Sequence, residues 1–372
     1  MTLYHLIFVV KIKNNMTVCI IGSGLSALTL AKALVNEKIC VDIFLSKKNN
    51  QINKSRTIGI SKSNLEYFNK NIINIEKLTW KLKKIEIFSE NLENEKILNF
   101  ENNDQLFSIL KNYHLYDFLF KDLSNNEFCK KKKVENETLN YDKYDLIINT
   151  DYKNFLTKKY FNKKIIKLYN SFAYTTIIQH EIQSNDTATQ LFTKNGPLAF
   201  LPISKNETSV VYSVHDFKKN NRENIKKLIL KHNFRYKIKK IKELETFELK
   251  SCSLRSYHHK KILAFGDLLH KIHPLAGQGF NMTIRDIKSL MEIINERISL
   301  GLPLDYMINS QFEKKIKHTN YIFSNGIDFI HEFFNLERKS NSKILSKTIK
   351  LIGKNSKLNQ IFKKIADQGV NF

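Results

Sequence analysis

Gly22-Ser23-Gly24-Leu25-Ser26-Ala27 sets two glycines and an alanine at the spacing that a dinucleotide pyrophosphate requires. Gly22 makes the tight turn, Gly24 lets the anion approach the backbone, and Ala27 has only to be small so that helix and strand can pack. A helix starting here turns free N–H groups and the positive end of its dipole toward the same anion. A second string, Gly266-Asp267-Leu268-Leu269-His270-Lys271-Ile272-His273-Pro274-Leu275-Ala276-Gly277-Gln278-Gly279-Phe280-Asn281, follows the apolar run Ile262 to Phe265. Phe280, Ile284, Ile287, Met291 and Ile294 then recur at helical spacing, so the Gly277-Gln278-Gly279 turn sits at a helix N-terminus, where backbone donors face an acceptor. Both strings bind; neither names a catalytic acid or base. Taken singly, His270 and His273 read as satisfied core histidines and Asp267 as a helix cap.

The elements around the first string read as a βαβ unit: a strand through Val18, Ile20 and Ile21, a helix to about Val35, and a second strand from Cys40 to Leu45. The carboxylate expected to hold an adenosine ribose falls near Leu45 or Ser46, neither of which is acidic, and Asp42 comes too early. Farther on, Lys84 to Phe88, Ile97 to Phe100, Ala173 to His180, Thr187 to Phe192 and Ser209 to Val214 alternate as half-buried antiparallel strands do, predicting a sheet over a pocket. Lys130 to Lys133 reads as a solvated loop, with a phosphate contact as the alternative. From Pro303 the chain reads as helical, with one or two long helices over Tyr306 to Phe334 and two shorter ones through Ile365. Between Lys343 and Lys364 lysines alternate with apolar residues, a pattern that fits an anionic membrane face or packing on the core or a partner.

At 372 residues the chain has room for one large or two interlocked domains. Its 61 basic against 36 acidic residues give a net charge of +25, which favours an anionic partner. Lys, Asn and Ile are used heavily throughout, so part of that charge reflects coding bias. No zinc finger, helix-turn-helix or aromatic RNA-binding signature accompanies it, and a nucleic-acid partner is not expected. Cys19, Cys40, Cys129 and Cys252 stand far apart, without a CxxC pair or zinc-like histidine spacing, which implies a reducing compartment and no metal. The apolar run Leu6 to Val10 is too short for a membrane span. Residues 1–15 read as an upstream-start extension, or else as a membrane-touching arm. The expected location is cytoplasmic, with a peripheral place on the inner membrane face.

Four stretches resemble the FAD-dependent aromatic-ring monooxygenases, and within them the ubiquinone-biosynthesis hydroxylases: Gly22 to Ala27, Ser55-Arg56-Thr57-Ile58-Gly59-Ile60-Ser61, Gly196-Pro197-Leu198-Ala199-Phe200-Leu201-Pro202, and Gly266 to Asn281. The resemblance implies an α/β fold: a doubly wound, Rossmann-like FAD-binding domain (16–75, 137–165 and 250–300) interleaved with an antiparallel-sheet substrate domain (76–136 and 166–249), followed by a C-terminal helical region (301–372). It implies that Gly22, Gly24, Ala27, Arg56, Gly266, Asp267, Pro274, Gly277, Gln278, Gly279 and Asn281 bind FAD, with Asp267 on its ribityl and pyrophosphate end, and it places His273-Pro274 beside the ring. NAD(P)H or another donor would reduce the cofactor, and the substrate would be a polyprenyl phenol or quinone precursor, handled within a ubiquinone-biosynthesis assembly. Three departures bear on cofactor retention: Leu45 in place of the ribose carboxylate, Leu268-Leu269 in place of two alanines, and Tyr152 where the family has a glycine. If that backbone needs a positive φ, tyrosine is strained there. The alternative that these departures favour is a flavin-weak accessory relative.

Overall fold

The computed structural model describes residues 16–45, 54–133, 141–215, 222–273, 277–340 and 343–369. Residues 1–15, Ser46 and Pro274 lie outside them. Val18, Cys19, Ile20 and Ile21 of β1 (Thr17–Ile21) are all buried, as in a strand covered on both faces. Helix α1 (Leu25–Asn36) returns the chain to β2 (Cys40–Leu45), parallel to β1. There follow β3 (Thr57–Ser61), α2 (Lys62–Asn71), β4 (Trp80–Leu82), β5 (Lys84–Ser89), β6 (Glu95–Glu101), β7 (Phe107–Lys111), α3 (Asn112–Ser124) and β8 (Cys129–Lys133). After β9 (Leu146–Asn149) and α4 (Phe155–Tyr160) come the long β10 (Lys164–His180), β11 (Thr187–Thr193), β12 (Gly196–Pro202) and β13 (Glu207–His215). Helix α5 (Arg222–His232), β14 (Ile238–Ile241), β15 (Glu245–Leu254), β16 (His258–His259), β17 (Ile262–Ala264) and β18 (His270–Lys271) lead into α6 (Gln278–Ser299), α7 (Tyr306–Ser340), α8 (Ile344–Lys354) and α9 (Ser356–Gln368).

Strands β16-β17-β9-β1-β2-β8 form one sheet, parallel except at β16. From β1 the chain moves outward through β2 to β8 and then comes back to β9 on the other side of β1. The order therefore reverses between β1 and β9, and the crevice beyond their carboxyl ends is where such sheets bind ligands. Gly22 and Thr150 stand at that crevice.

The second sheet runs β18-β15-β10-β13-β12-β11-β5-β6, with β14 paired on β10. It corrects two expectations. Strands β11 and β5 pair in parallel, because a long crossover and no hairpin connects them. Strand β10 starts at Lys164 instead of Ala173, its alternation hidden by a register shift between Leu168 and Ser171, where Asn170 has φ +49°. A third sheet, β3-β7-β4, carries the arginine segment.

Lys130 to Lys133 is an edge strand, not a loop. Lys131 lies 3.3 Å from the Phe120 ring centroid and Lys132 pairs with Asp42, so the two lysines pack where bare charge was expected. Leu115, Leu119 and Leu123 of α3 join the core of the parallel sheet. Residues 112–133, placed by the sequence with the substrate domain, thus associate with the other sheet.

Helix α8 covers β6, the last strand of the large sheet. At Gly353 a Cβ would come within 2.6 Å of Leu98 Cδ2 and 2.9 Å of the Ile97 carbonyl, so only glycine admits this approach. On the same sheet Glu207 accepts from Lys242 (2.7 Å) and Lys111 (2.9 Å). Burial alone would raise its pKa, but the hydrogen bonds of the two lysines outweigh that and lower it from the ordinary 4.5 to about 2. The stabilisation is therefore full above about 4.5 and lost as pH falls toward about 2. Glu207→Gln should be less stable than wild type at neutral pH, and the gap in urea midpoints should close across that acid window. A gap constant with pH would refute the linkage.

Candidate cofactor site

Gly22 has φ +126°, and a Cβ on it would lie 2.1 Å from Thr150 Oγ1, on the segment that continues β9. Gly24 is the N-cap of α1 in extended backbone (φ −79°, ψ 172°), and a Cβ there meets nothing within 4 Å. Ala27 is fully buried against the sheet. Gly266, at φ +64°, comes so close to the first turn that a Cβ would stand 2.5 Å from Ser26 Cβ. The two glycine strings, about 240 residues apart in sequence, are therefore in contact. Asp267 is exposed between buried Gly266 and Leu268, with its carboxylate on the open side.

At the second helix, Gly277 is the N-cap of α6 with φ +64° and lies over Gly59 of β3, whose N and Cα are 3.4 and 3.5 Å from its ideal Cβ. Gly279 faces open space, as Gly24 does. The first N–H groups of α6 have no intrahelical acceptor. Two cradles that added side chains would fill, each at a helix start, fit an extended phosphorylated cofactor. Arg56 stands between Ser55, bonded to Thr175 (2.9 Å), and Thr57, bonded to Ser209 (2.9 Å), so its backbone is pinned to the large sheet while its side chain is exposed. Burial lowers the Lys271 pKa, Asp267 opposes that shift, and Lys250 and Arg56 add to it. Asp267, Lys271 and Arg56 thus share one electrostatic neighbourhood.

Two of the expected contacts are taken up within the protein. Asn281, fully buried, accepts from Ser61 N (3.0 Å) and Asn64 Nδ2 (3.1 Å) and donates to the Gly59 carbonyl (3.1 Å), so its side chain clamps α6 to β3 and α2. Gln278 donates to the Ala366 carbonyl (3.2 Å) of α9, leaving its buried Oε1 without a partner. The same end of α9 reaches the start of α2: Ser61 Oγ and Ser63 Oγ donate to the Asp367 carbonyl (2.9 and 3.0 Å), and Ser63 N to its carboxylate (2.9 Å).

The departures shrink on inspection. Tyr152 has no positive φ and is 65% exposed, so no strain is stored there. Leu268 and Leu269 belong to the hydrophobic core, with their side chains buried. Leu45 does end β2 without a carboxylate, and Asp42 is occupied by Lys132 and by the Tyr144 hydroxyl (2.5 Å). Tyr152→Gly should therefore leave flavin retention through gel filtration unchanged; tighter retention would restore the strain account.

The two histidines part company. His270 Nε2 meets Asp286 at 2.5 Å, and Asp286 also accepts from Asn320 (2.9 Å), a buried core pair in which only His270 Nδ1 is left without a partner. His273 is as deeply buried, yet neither ring nitrogen has a partner. Sequence periodicity could not have shown this, because its neighbours come from β10, β13 and α7.

Residues 198–299 match the family described as FAD binding domain, a segment that carries the second glycine string and not the first. Over 165 residues the chain is 28% identical to the 3-demethoxyubiquinol 3-hydroxylase of Escherichia coli strain K12, spanning 42% of each chain. It is 31% identical over 90 residues to a mitochondrial ubiquinone biosynthesis monooxygenase of Dictyostelium discoideum, spanning 24% of this chain and 18% of that one. The solved p-nitrophenol 4-monooxygenase of Pseudomonas putida DLL-E4 superposes with a TM-score of 0.72 over 95% of this chain and 99% of its own, at 11% identity. The chain carries an FAD binding domain over residues 198–299 and has the fold of the solved monooxygenase. The FAD binding domain match gives FAD as the cofactor, and the open faces at Gly24 and Gly279 leave room for one. The matches span less than half the length of the curated relatives, and the likeness to the solved monooxygenase is one of fold.

Proposed function

We propose that this chain hydroxylates the aromatic ring of a polyprenyl phenol or quinone precursor in ubiquinone biosynthesis, with NAD(P)H or another donor as reductant. The likeness to 3-demethoxyubiquinol 3-hydroxylase carries the reading. Bound FAD supplies the electron transfer and the activation of oxygen. The chain's own work is to bind and orient. Gly22, Gly24 and Ala27 would shape the pyrophosphate site, Gly266 would allow close passage, and Asp267 would accept hydrogen bonds from the ribityl end. The free N–H groups at Gly277, Gln278 and Gly279 would hold the cofactor at the start of α6 and offer fixed dipoles to negative charge there, most effective where water is excluded. Arg56, in the electrostatic neighbourhood of Asp267 and Lys271, would add positive charge to the same site. The purified protein should show flavin absorbance and, with a reductant and a short-chain prenylphenol, form a product heavier by one oxygen. A colourless protein that takes up no FAD would leave the accessory reading.

The substrate class bears on where the protein works. No helix among the described residues is long and apolar enough to cross a membrane. Helices α8 and α9 nevertheless expose Leu351 (68%), Ile361 (52%), Phe362 (45%) and Leu358 (39%), with Lys343, Lys347, Lys357 and Lys364 also exposed. We read this as a face for an anionic membrane from which an apolar substrate is collected, each nearby lysine contributing about 1 kcal/mol. Lys350 is paired with Glu95 and is not part of that set. Sedimentation with anionic but not neutral vesicles, lost when the four lysines become Glu, is the expected result; no sedimentation at low salt would end the reading.

A further inference from the structure

Helix α9 carries its polar stripe inward. Asn359, Lys363 and Asp367 recur every four residues and meet the protein, while Leu358, Ile361, Phe362 and Ile365 fall on the opposite face and are exposed. A surface helix ordinarily does the reverse. The docking is made by hydrogen bonds. Asn359 Nδ2 donates to the Asn99 carbonyl (3.1 Å) and Lys363 Nζ to the Glu101 carbonyl (2.8 Å), both on β6, and Asp367 receives Ser61 and Ser63 at the start of α2. No apolar side chain of α9 is among the buried residues of the core. Hydrogen bonds exchanged against water contribute only about 1 kcal/mol each, so the docked and released states of this helix lie close in free energy. Release also unwinds it, because 13 residues alone are marginal as a helix in water.

The last turn of α9 stands at the second cradle. Ser63 N–H meets the Asp367 carboxylate where α2 begins, and the Ala366 carbonyl holds the side chain of Gln278, the first residue of α6. Ser61 ends β3, the strand whose Gly59 lies under Gly277, so one turn braces both sides of that cradle. Gly369 then passes close to Arg285 of α6, where a Cβ would come within 3.0 Å of Nε. At the other face, exposed Lys357 and Lys364 flank the apolar residues, and Lys343 and Lys347 extend the charge toward α8. An anionic membrane complements such a face. A net charge of +25 opposes a second copy of the same chain there.

We propose that α9 links the membrane to the cofactor site through Asp367, so that membrane binding at its outer face and FAD binding at its inner end each tighten the other. The proposal rests on the membrane reading above. FAD selects the docked helix because the starts of α2 and α6 have their neighbours only then. The membrane selects it because the docked helix presents its apolar face already formed. An ordering cost met by one ligand is spared the other, and the coupling is reciprocal. Asp367 is a positioning residue that acts through α2 and α6.

The test dilutes the FAD-loaded protein with phosphatidylglycerol or phosphatidylcholine vesicles and follows released FAD by its fluorescence. With the anionic vesicles the FAD dissociation constant should fall at least about fivefold, the lower end of ordinary couplings, and FAD-loaded protein should bind those vesicles more tightly than stripped protein by the same factor. Asp367→Ala should still sediment with anionic vesicles, yet release FAD equally with both kinds. Asp367→Asn, which keeps an acceptor for the Ser63 N–H, should recover part of the difference, and Ser63→Ala, which removes a bond from the α2 side, stands in if the Ala variant does not fold. Sedimentation without any change in FAD release, or vesicles that loosen FAD, would overturn the linkage and leave the membrane reading standing. A difference undiminished in Asp367→Ala and Ser63→Ala would overturn the assignment to this turn. If the wild type does not sediment, or forms a dimer that covers this face, the membrane reading falls and this inference with it.

Discussion

Gly24→Val should yield a folded, colourless protein. The backbone at Gly24 is extended, at φ −79° and ψ 172°, which any residue adopts, and a Cβ there meets no atom within 4 Å. The fold therefore does not need glycine at this position. The cofactor does, because a valine side chain fills the space through which a pyrophosphate reaches the N–H groups opening α1. Gly22→Val is the contrast: φ +126° and Thr150 Oγ1 at 2.1 Å make that change a folding defect. Circular dichroism and flavin absorbance of the two variants separate the effects. Gly24→Val protein with native circular dichroism and full flavin would remove the pyrophosphate from this turn.

Asp286→Ala should cost about 3 kcal/mol or more of stability, the range for breaking a buried pair by deleting one partner. Asp286 is 1% exposed and receives His270 from β18 and Asn320 from α7, so one carboxylate on α6 ties three elements. It also offsets the neighbouring Arg285, whose pKa burial lowers to about 10 against the opposing charges of Asp286 and Asp367. The substitution strands an imidazole and an amide and weakens the compensation of a guanidinium. Urea denaturation should show the loss, and one below about 1 kcal/mol would mean that the site relaxes or is wetter than its burial indicates.

The parts of this protein legible in the sequence are those governed by local rules. Gly22 to Ala27 and Gly277 to Gly279 announce themselves because a turn before a helix needs particular residues whatever surrounds it, and the strands flanking them followed from apolar periodicity. What required the folded chain is non-local. Lys130 to Lys133 look solvated until Phe120 and Asp42 are found beside them. Leu268 looked obstructive until the core enclosed it, and Tyr152 looked strained until its backbone proved ordinary. Asn281 reads as a cofactor ligand in the string, yet its partners Ser61 and Asn64 lie about 220 residues upstream and take up its amide. His273 was misread most fully. Whether a buried histidine is satisfied depends on what faces it, and the ring that faces it comes from a helix whose own pattern carries no hint of the meeting.

The contacts of Asp367 with Ser61 and Ser63 give the molecule an order of assembly. These partners are separated by about 300 residues, so on a ribosome the start of α2 emerges and waits while nearly the whole polypeptide is made. The parallel sheet can form around β1, β2 and β9 well before then, but the N-terminus of α6 acquires its neighbour Ala366 only when α9 has emerged. A nascent chain should thus hold an incomplete second cradle until α9 has been made. Chains truncated before α9 should already resist protease over residues 16–45 while failing to retain flavin.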